Sequence, residues 1–188
     1  MKNKSVVIIC GDPKSTFNEI LIKTIKNKVY KNSKFPIIII CSEKLFQNEI
    51  KKQKVKLNLQ KFENQTNLRK NKIYIFDIPL KNGKLSLIKK NEYIKKSFKV
   101  GLNLLRKKNL LALINGPISK TTFLKGKYKG ITEYLALKTG SLNEVMLIFN
   151  KELSVSPITT HVPINKVSQK IKKEVIFKKI NNINEFYK

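Results

Sequence analysis

The sequence predicts an α/β fold, a three-layer α/β/α arrangement around a mostly parallel sheet. Three observations predict it. Short apolar runs rich in β-branched residues recur along the chain, as in strands covered on both faces. Amphipathic stretches of helical period separate them. Nearly every run ends in Gly, Pro or a Ser-Glu pair, which turn the chain or start a helix.

Taken in order, Ser5 to Cys10 (SVVIIC) is a strand closed by Gly11-Asp12-Pro13. A helix follows, with Ser15 as its N-cap, or Thr16 with Glu19 completing a capping box; Ile20, Leu21, Thr24 and Ile25 share a face. Pro36 to Cys41 is the second strand, and Ser42-Glu43 opens the second helix. The polar segment Lys51 to Lys72 reads as an exposed edge of the domain, and Asn71 to Ile78 as a third strand. A turn is expected at Asn82-Gly83. A long helix with one apolar face runs from Asn91 to Lys108, carrying Tyr93, Ile94, Phe98, Leu102, Leu104 and Leu105. Leu110 to Ile114 is a further buried strand, stopped by Asn115-Gly116-Pro117. Ser119 to Lys125 and Thr132 to Lys138 read as helical. Val145 to Phe149 and Leu153 to Ile158 are the last strand candidates, and Ile164 to Lys188 reads as one basic amphipathic helix.

Composition bounds the function. A chain of 188 residues can bury roughly 70% of its unfolded surface, enough for a real core. No apolar run approaches the ~18 residues of a membrane span. The N-terminal apolar run is too short for a signal peptide, which reads as a cytoplasmic protein. The net charge of +28 invites a nucleic-acid reading. Yet of 40 basic residues only Arg69 and Arg106 are arginine, the residue suited to bidentate base and phosphate contacts. The lysines are scattered, so a nucleic-acid partner is disfavoured, although the charge can steer anionic substrates. Cys10 and Cys41 lack metal spacing and read as buried thiols.

Four segments combine strand ends with chemistry-bearing residues. Gly11-Asp12-Pro13 and Asn115-Gly116-Pro117-Ile118-Ser119-Lys120 each follow a strand and precede a helical stretch, where open α/β sheets bind ligands. Each also fits a plain structural turn. Lys120 could reach a phosphate or a developing enolate, or be one solvated lysine among many. In Gly130-Ile131-Thr132-Glu133-Tyr134, Thr132 can cap a helix and offer its hydroxyl and nearby N–H groups to a phosphate. Glu133 can serve the helix dipole. Thr159-Thr160-His161-Val162-Pro163 holds the only histidine, a candidate metal ligand or proton carrier or a satisfied structural residue.

These segments, in this order, resemble the N-terminal half of the 4-hydroxythreonine-4-phosphate dehydrogenase family of pyridoxal phosphate biosynthesis. The resemblance runs across the whole chain and is most specific from Leu110 to Val167. It implies an isocitrate/isopropylmalate dehydrogenase-like fold, with residues 1–188 forming the N-terminal part of a two-lobed homodimeric enzyme whose second lobe is incomplete here. It implies NAD (or NADP) and a divalent metal (Zn, Mg or Co) held by three histidines, of which His161 matches the first. It also implies a small phosphorylated substrate, with Thr132 as a phosphate contact and Lys120 as a catalytic helper or proton donor. No cofactor-binding residue can be assigned. Two departures stand out. Ile131 occupies the position of a family histidine in Gly-His-Thr-Glu, and Lys14-Ser15-Thr16-Phe17 replaces the family's Ala-Gly-Ile-Gly. The expected reaction is oxidation and decarboxylation of 4-hydroxythreonine 4-phosphate, with the isolated chain inactive. A non-catalytic phospholigand-binding module and a basic nucleic-acid-binding protein are the alternatives.

Overall fold

The computed structural model describes residues 4–27, 33–63, 68–80, 85–107, 110–141 and 144–188. They form two compact units, Met1–Phe123 and Leu124–Lys188.

The first unit is built on five parallel strands: β1 (Ser5–Ile9), β2 (Ile37–Cys41), β3 (Leu59–Lys61), β4 (Ile73–Asp77) and β5 (Leu110–Asn115). Their order across the sheet is β3-β4-β2-β1-β5. Alternation along the strands sends Ile8, Cys10, Ile39, Cys41, Ile73 and Ile75 to one face. There they meet Leu21, Ile22 and Ile25 of α1 (Phe17–Lys26) and Phe46 and Ile50 of α2 (Glu43–Lys52). The opposite face is covered by α3 (Leu87–Lys107), whose Ile94 and Phe98 are fully buried. Gly101 lets α3 come close, because a Cβ there would stand 2.7 Å from Ile9 Cδ1 and 3.3 Å from Leu113 Cδ1. Helices on both faces make the expected three layers.

Several details differ from the sequence reading. Thr16, not Ser15, is the N-cap of α1. Its capping box does not form, because Glu19 turns instead to Lys23 at 2.6 Å. Ser42 caps α2 as expected, but its side chain makes no cap bond. The Asp77 carboxylate accepts from Glu43 N at 2.9 Å in its place. The polar stretch after α2 hides the short end strand β3, which pairs with β4. Three residues are too few to show a period in sequence. At the other end of the sheet, β5 is only half-buried, with Leu111 and Ile114 each 47% exposed. The Asn82-Gly83 turn and the end of the long helix at Lys108 lie outside the described residues. After β5 comes not an α-helix but a π turn, Lys120–Leu124.

The second unit holds α4 (Ile131–Thr139), which ends on Gly140 in the left-handed conformation, φ +73°. Ser141 N donates to Ala136 O at 2.9 Å and closes the helix end. The two strand candidates reduce to one antiparallel bridge between Ile148 and Val155. Asn150, Lys151 and Glu152 between them are exposed polar residues, and Leu153 is 70% exposed, so little burial supports a longer ladder. The C-terminal helix is broken into a 3₁₀ turn (Ile164–Lys166), α5 (Val167–Lys170) and α6 (Lys173–Tyr187). Lys166, Lys170 and Lys173 would stack like charges at i, i+4 and i, i+3 along one continuous helix. The extended Ile171 breaks that register.

Candidate functional site

The sheet order reverses beside β1, with β2 on one side and β5 on the other. At such a switch point the carboxyl ends of neighbouring strands diverge and leave a crevice. The Gly11 and Gly116 loops sit there and are clasped to each other. Asp12 N donates to Pro117 O at 2.8 Å, and Gly116 N donates to Ile9 O at 2.7 Å. Neither glycine can carry a side chain. A Cβ on Gly11 would lie 2.4 Å from Pro117 O, on a backbone with φ +73°, and one on Gly116 would lie 2.4 Å from Cys10 O.

Asp12 is further held by an ion pair that sequence reasoning missed. Its carboxylate meets Lys90 Nζ of α3 at 2.6 Å, with both side chains about one-sixth exposed. One lysine among so many carries no sequence signal. Nearby, Asn91 Nδ2 donates to Thr122 O at 2.9 Å, tying the first turns of α3 to the π turn. Asn91 Oδ1 and Thr122 Oγ1 are buried there with no hydrogen-bond partner among the described residues. Asparagine is a weak helix former, so Asn91 in a helical stretch was the available hint. Lys120 opens the π turn and is exposed. Ser119 Oγ accepts from Thr122 N at 3.2 Å and fixes the turn behind it.

Two buried thiols close the same sheet end. Cys10 and Cys41 follow the register pair Ile9–Ile40, and Cys10 N donates to Ile40 O at 3.1 Å. Hydrogen bonding between the thiols, and then burial, push the Cys41 thiol well above its ordinary range. Burial chiefly raises the Tyr93 phenol as well. The Tyr93 oxygen accepts from Ser42 N at 3.0 Å. Both thiols are buried, as the sequence expected of them.

In the second unit Thr132 does not cap its helix. Gly130 is the N-cap and Thr132 lies in the first turn of α4, where backbone N–H groups lack helical partners. Gly130 is extended, a conformation open to any residue, so its glycine is explained by space. A Cβ there would stand 3.1 Å from Glu133 Oε2 and 3.9 Å from His161 Nε2. His161 is exposed and adopts φ +57°, a left-handed backbone uncommon outside glycine. Tyr128 packs edge-on against Tyr134, ring centroids 5.3 Å apart, and stiffens the same turn. Burial, followed by Tyr128, raises the Tyr134 phenol.

The structure thus groups Thr132, Glu133 and His161 within the second unit and Asp12, Gly116 and Lys120 within the first. Among the described residues no three His, Cys, Asp or Glu side chains form a metal-holding group. None of the described helices is long and apolar enough to cross a membrane.

The family model for the pyridoxal phosphate biosynthetic protein PdxA matches residues 33–188. A 4-hydroxythreonine-4-phosphate dehydrogenase from Sulfurihydrogenibium is 31% identical, over 97% of this chain and 58% of its own length. One from Aquifex aeolicus is 28% identical, over 96% and 57%. The chain therefore spans less than two thirds of these relatives. The crystal structure of a 4-hydroxythreonine-4-phosphate dehydrogenase from Klebsiella pneumoniae superposes with a TM-score of 0.80 at 19% identity, covering 98% of this chain and 59% of that one. That from Burkholderia phymatum gives 0.79 at 23%, covering 95% and 56%. Those two likenesses speak for the fold; the family match, across most of the sequence, goes further, and the chain belongs to the PdxA family.

Proposed function

We propose that this chain supplies the N-terminal part of an NAD- (or NADP-) dependent dehydrogenase that oxidises 4-hydroxythreonine 4-phosphate and decarboxylates the product to 3-amino-2-oxopropyl phosphate. One observation carries the reading: the open first turn of α4, with Thr132 on it, lies beside the only imidazole of the chain, which is exposed on a left-handed backbone.

The roles follow from the groups. Thr132 offers a hydroxyl and the first-turn N–H groups to the substrate phosphate, with the helix dipole aligned to favour an anion. Ile131 beside it is partly exposed and can contribute only apolar contact. Lys120, exposed at the end of the β5 loop, supplies positive charge or a proton where the enolate forms and collapses. His161 fits one corner of a divalent metal site, because its exposed imidazole is a good nitrogen donor for Zn or Co and a poorer one for Mg, which prefers oxygen. The remaining ligands must come from outside the described residues. A bound metal would polarise the hydroxyl and then the keto group beside the carboxylate. In the complete enzyme the substrate meets a homodimer. The 188 residues alone hold one imidazole and turn over no substrate.

Calorimetry of 4-hydroxythreonine 4-phosphate on this chain tests the phosphate site. Binding that requires the phosphate and weakens about tenfold in Thr132→Ala is expected, the loss of one charge-assisted hydrogen bond. Equal binding to both proteins sinks the Thr132 assignment. NADH formation by the isolated chain contradicts its inactivity. A second reading, a phospholigand-binding module without chemistry, is favoured by the single histidine; phosphate-ester binding with no NADH formation, even when the chain is extended to the full length of its relatives and given metal, separates it from the first.

A further inference from the structure

Glu133 Oε2 is buried and, among the described residues, no hydrogen-bond donor reaches it. That is an uncommon state for a carboxylate oxygen, and desolvation without a partner is costly. The oxygen borders the notch left by the missing Cβ of Gly130, and the imidazole borders the same notch through Nε2. His161 holds a left-handed backbone there, φ +57°, a conformation uncommon outside glycine. Three separate features, an orphaned oxygen, a side-chain-free position and a strained backbone, converge on one small space.

We infer that Glu133 is a positioning residue for His161. Its carboxylate accepts a hydrogen bond from the ring Nε2–H, and Gly130 keeps open the space in which they meet. Both atoms border that notch, 3.1 Å and 3.9 Å from the position of the missing Cβ, and the exposed imidazole must turn within it to make the contact. The consequence is a choice of tautomer. With the proton kept on Nε2, the lone pair of Nδ1 is left to face a ligand. Carboxylates commonly orient ligand histidines in this way, fixing both the ring plane and the proton. That the free nitrogen serves a metal rests on the reading above; that Glu133 holds the ring does not. Gly130→Ala then harms the site without touching either partner, because a methyl fills the notch.

The single histidine makes the test clean. In the 188-residue chain carrying ¹⁵N-labelled histidine, one imidazole spin system is present. In its neutral form the wild-type ring should show an Nε2–H proton sheltered from water exchange. Glu133→Ala should cost that proton about tenfold or more in protection, the worth of one hydrogen bond to a charged group. Glu133→Gln, whose amide oxygen still accepts, should keep most of it. Gly130→Ala should lose it with Glu133 intact. Backbone amide spectra confirm that each variant is folded. No sheltered Nε2–H in the wild type, or one unchanged in Glu133→Ala, overturns the inference. Zinc reports separately on the ligand reading when added to a protein extended to the full length of the relatives, which can supply the other ligands. If the His161 ring signals ignore zinc there while Nε2–H stays sheltered, the metal assignment sinks and Glu133 keeps its role.

Discussion

Replacing Gly116 by alanine should unfold the first unit far more readily than its one added methyl suggests. The new Cβ would sit 2.4 Å from Cys10 O and 2.8 Å from both Cys10 C and Phe17 Cδ1. Ordinary contact begins near 3.4 Å. The obstructing atoms are mostly backbone, and that backbone is pinned. Cys10 N donates to Ile40 O at 3.1 Å, and Gly116 N donates to Ile9 O at 2.7 Å. Relief therefore requires β1 and β5 to part at their carboxyl ends. Overpacking of a tight site costs about 1–3 kcal/mol and a lost backbone hydrogen bond about 1 more, so about 2–4 kcal/mol is expected. With a urea slope of about 2 kcal/mol/M this moves the midpoint down by roughly 1–2 M. Circular dichroism reads the change. Gly126→Ala is the comparison, because its Cβ meets nothing within 4 Å but its φ is +67°. It should lose only the left-handed penalty of about 1–2 kcal/mol. A Gly116→Ala protein within about 0.5 kcal/mol of wild type would refute the clasp between the two loops.

Three further outcomes follow from the same packing. The Asp12–Lys90 pair is largely shielded from water, so Lys90→Met should cost about 1–3 kcal/mol and Asp12→Asn should then cost less in its presence; a double-mutant cycle with no coupling would make the pair a surface ornament. Phe98, fully buried and stacked on Phe123 at 6.1 Å, should cost about 3–5 kcal/mol as alanine. Phe186, 77% exposed, should cost within about 0.5 kcal/mol. Cys41 and Tyr93 are acids whose folded values lie above their ordinary 9.0 and 10.0. The unfolded chain therefore releases these protons first. Their stabilising contribution is complete below about pH 9 and is lost as pH rises through and beyond those ordinary values. Tyr93→Phe, measured by denaturation at several alkaline pH values, should flatten that loss; an unchanged slope counts against Tyr93.

How far the sequence can be read depends on what each signal requires. Val6 to Ile9 and Ile37 to Ile40 are continuous β-branched runs, and a strand covered by helices on both faces needs nothing else. The Gly-Asp-Pro and Asn-Gly-Pro segments were legible as strand-end turns because β-branched runs cannot continue through them. That they clasp each other was not legible, since it depends on β1 and β5 being neighbours across more than a hundred residues. The edge strand β3 was lost in lysines because a three-residue strand buries too little to pattern its sequence. The π turn at Lys120 was invisible for a similar reason: Thr121, Thr122 and Phe123 suit an α-helix equally well, and the Asn91 contact to Thr122 O is what the sequence does not display.

The second unit shows where patterning misleads. Val145 to Phe149 and Leu153 to Ile158 have strand composition, yet Ile148, Phe149 and Leu153 are all more than half exposed and only one bridge forms. Composition reports what a segment could bury, and a strand forms only where something covers it. The candidate site obeys the same distinction. His161 and Thr132 stood out by residue type and position, whereas Glu133 looked like an ordinary acid in a first turn. Its buried oxygen acquires meaning only once Gly130 is seen as an absence of side chain beside an imidazole. A glycine with an extended backbone has no conformational reason to be glycine. When such a residue faces two polar atoms, the space it leaves is the functional element, and no reading of residue types one at a time could have found it.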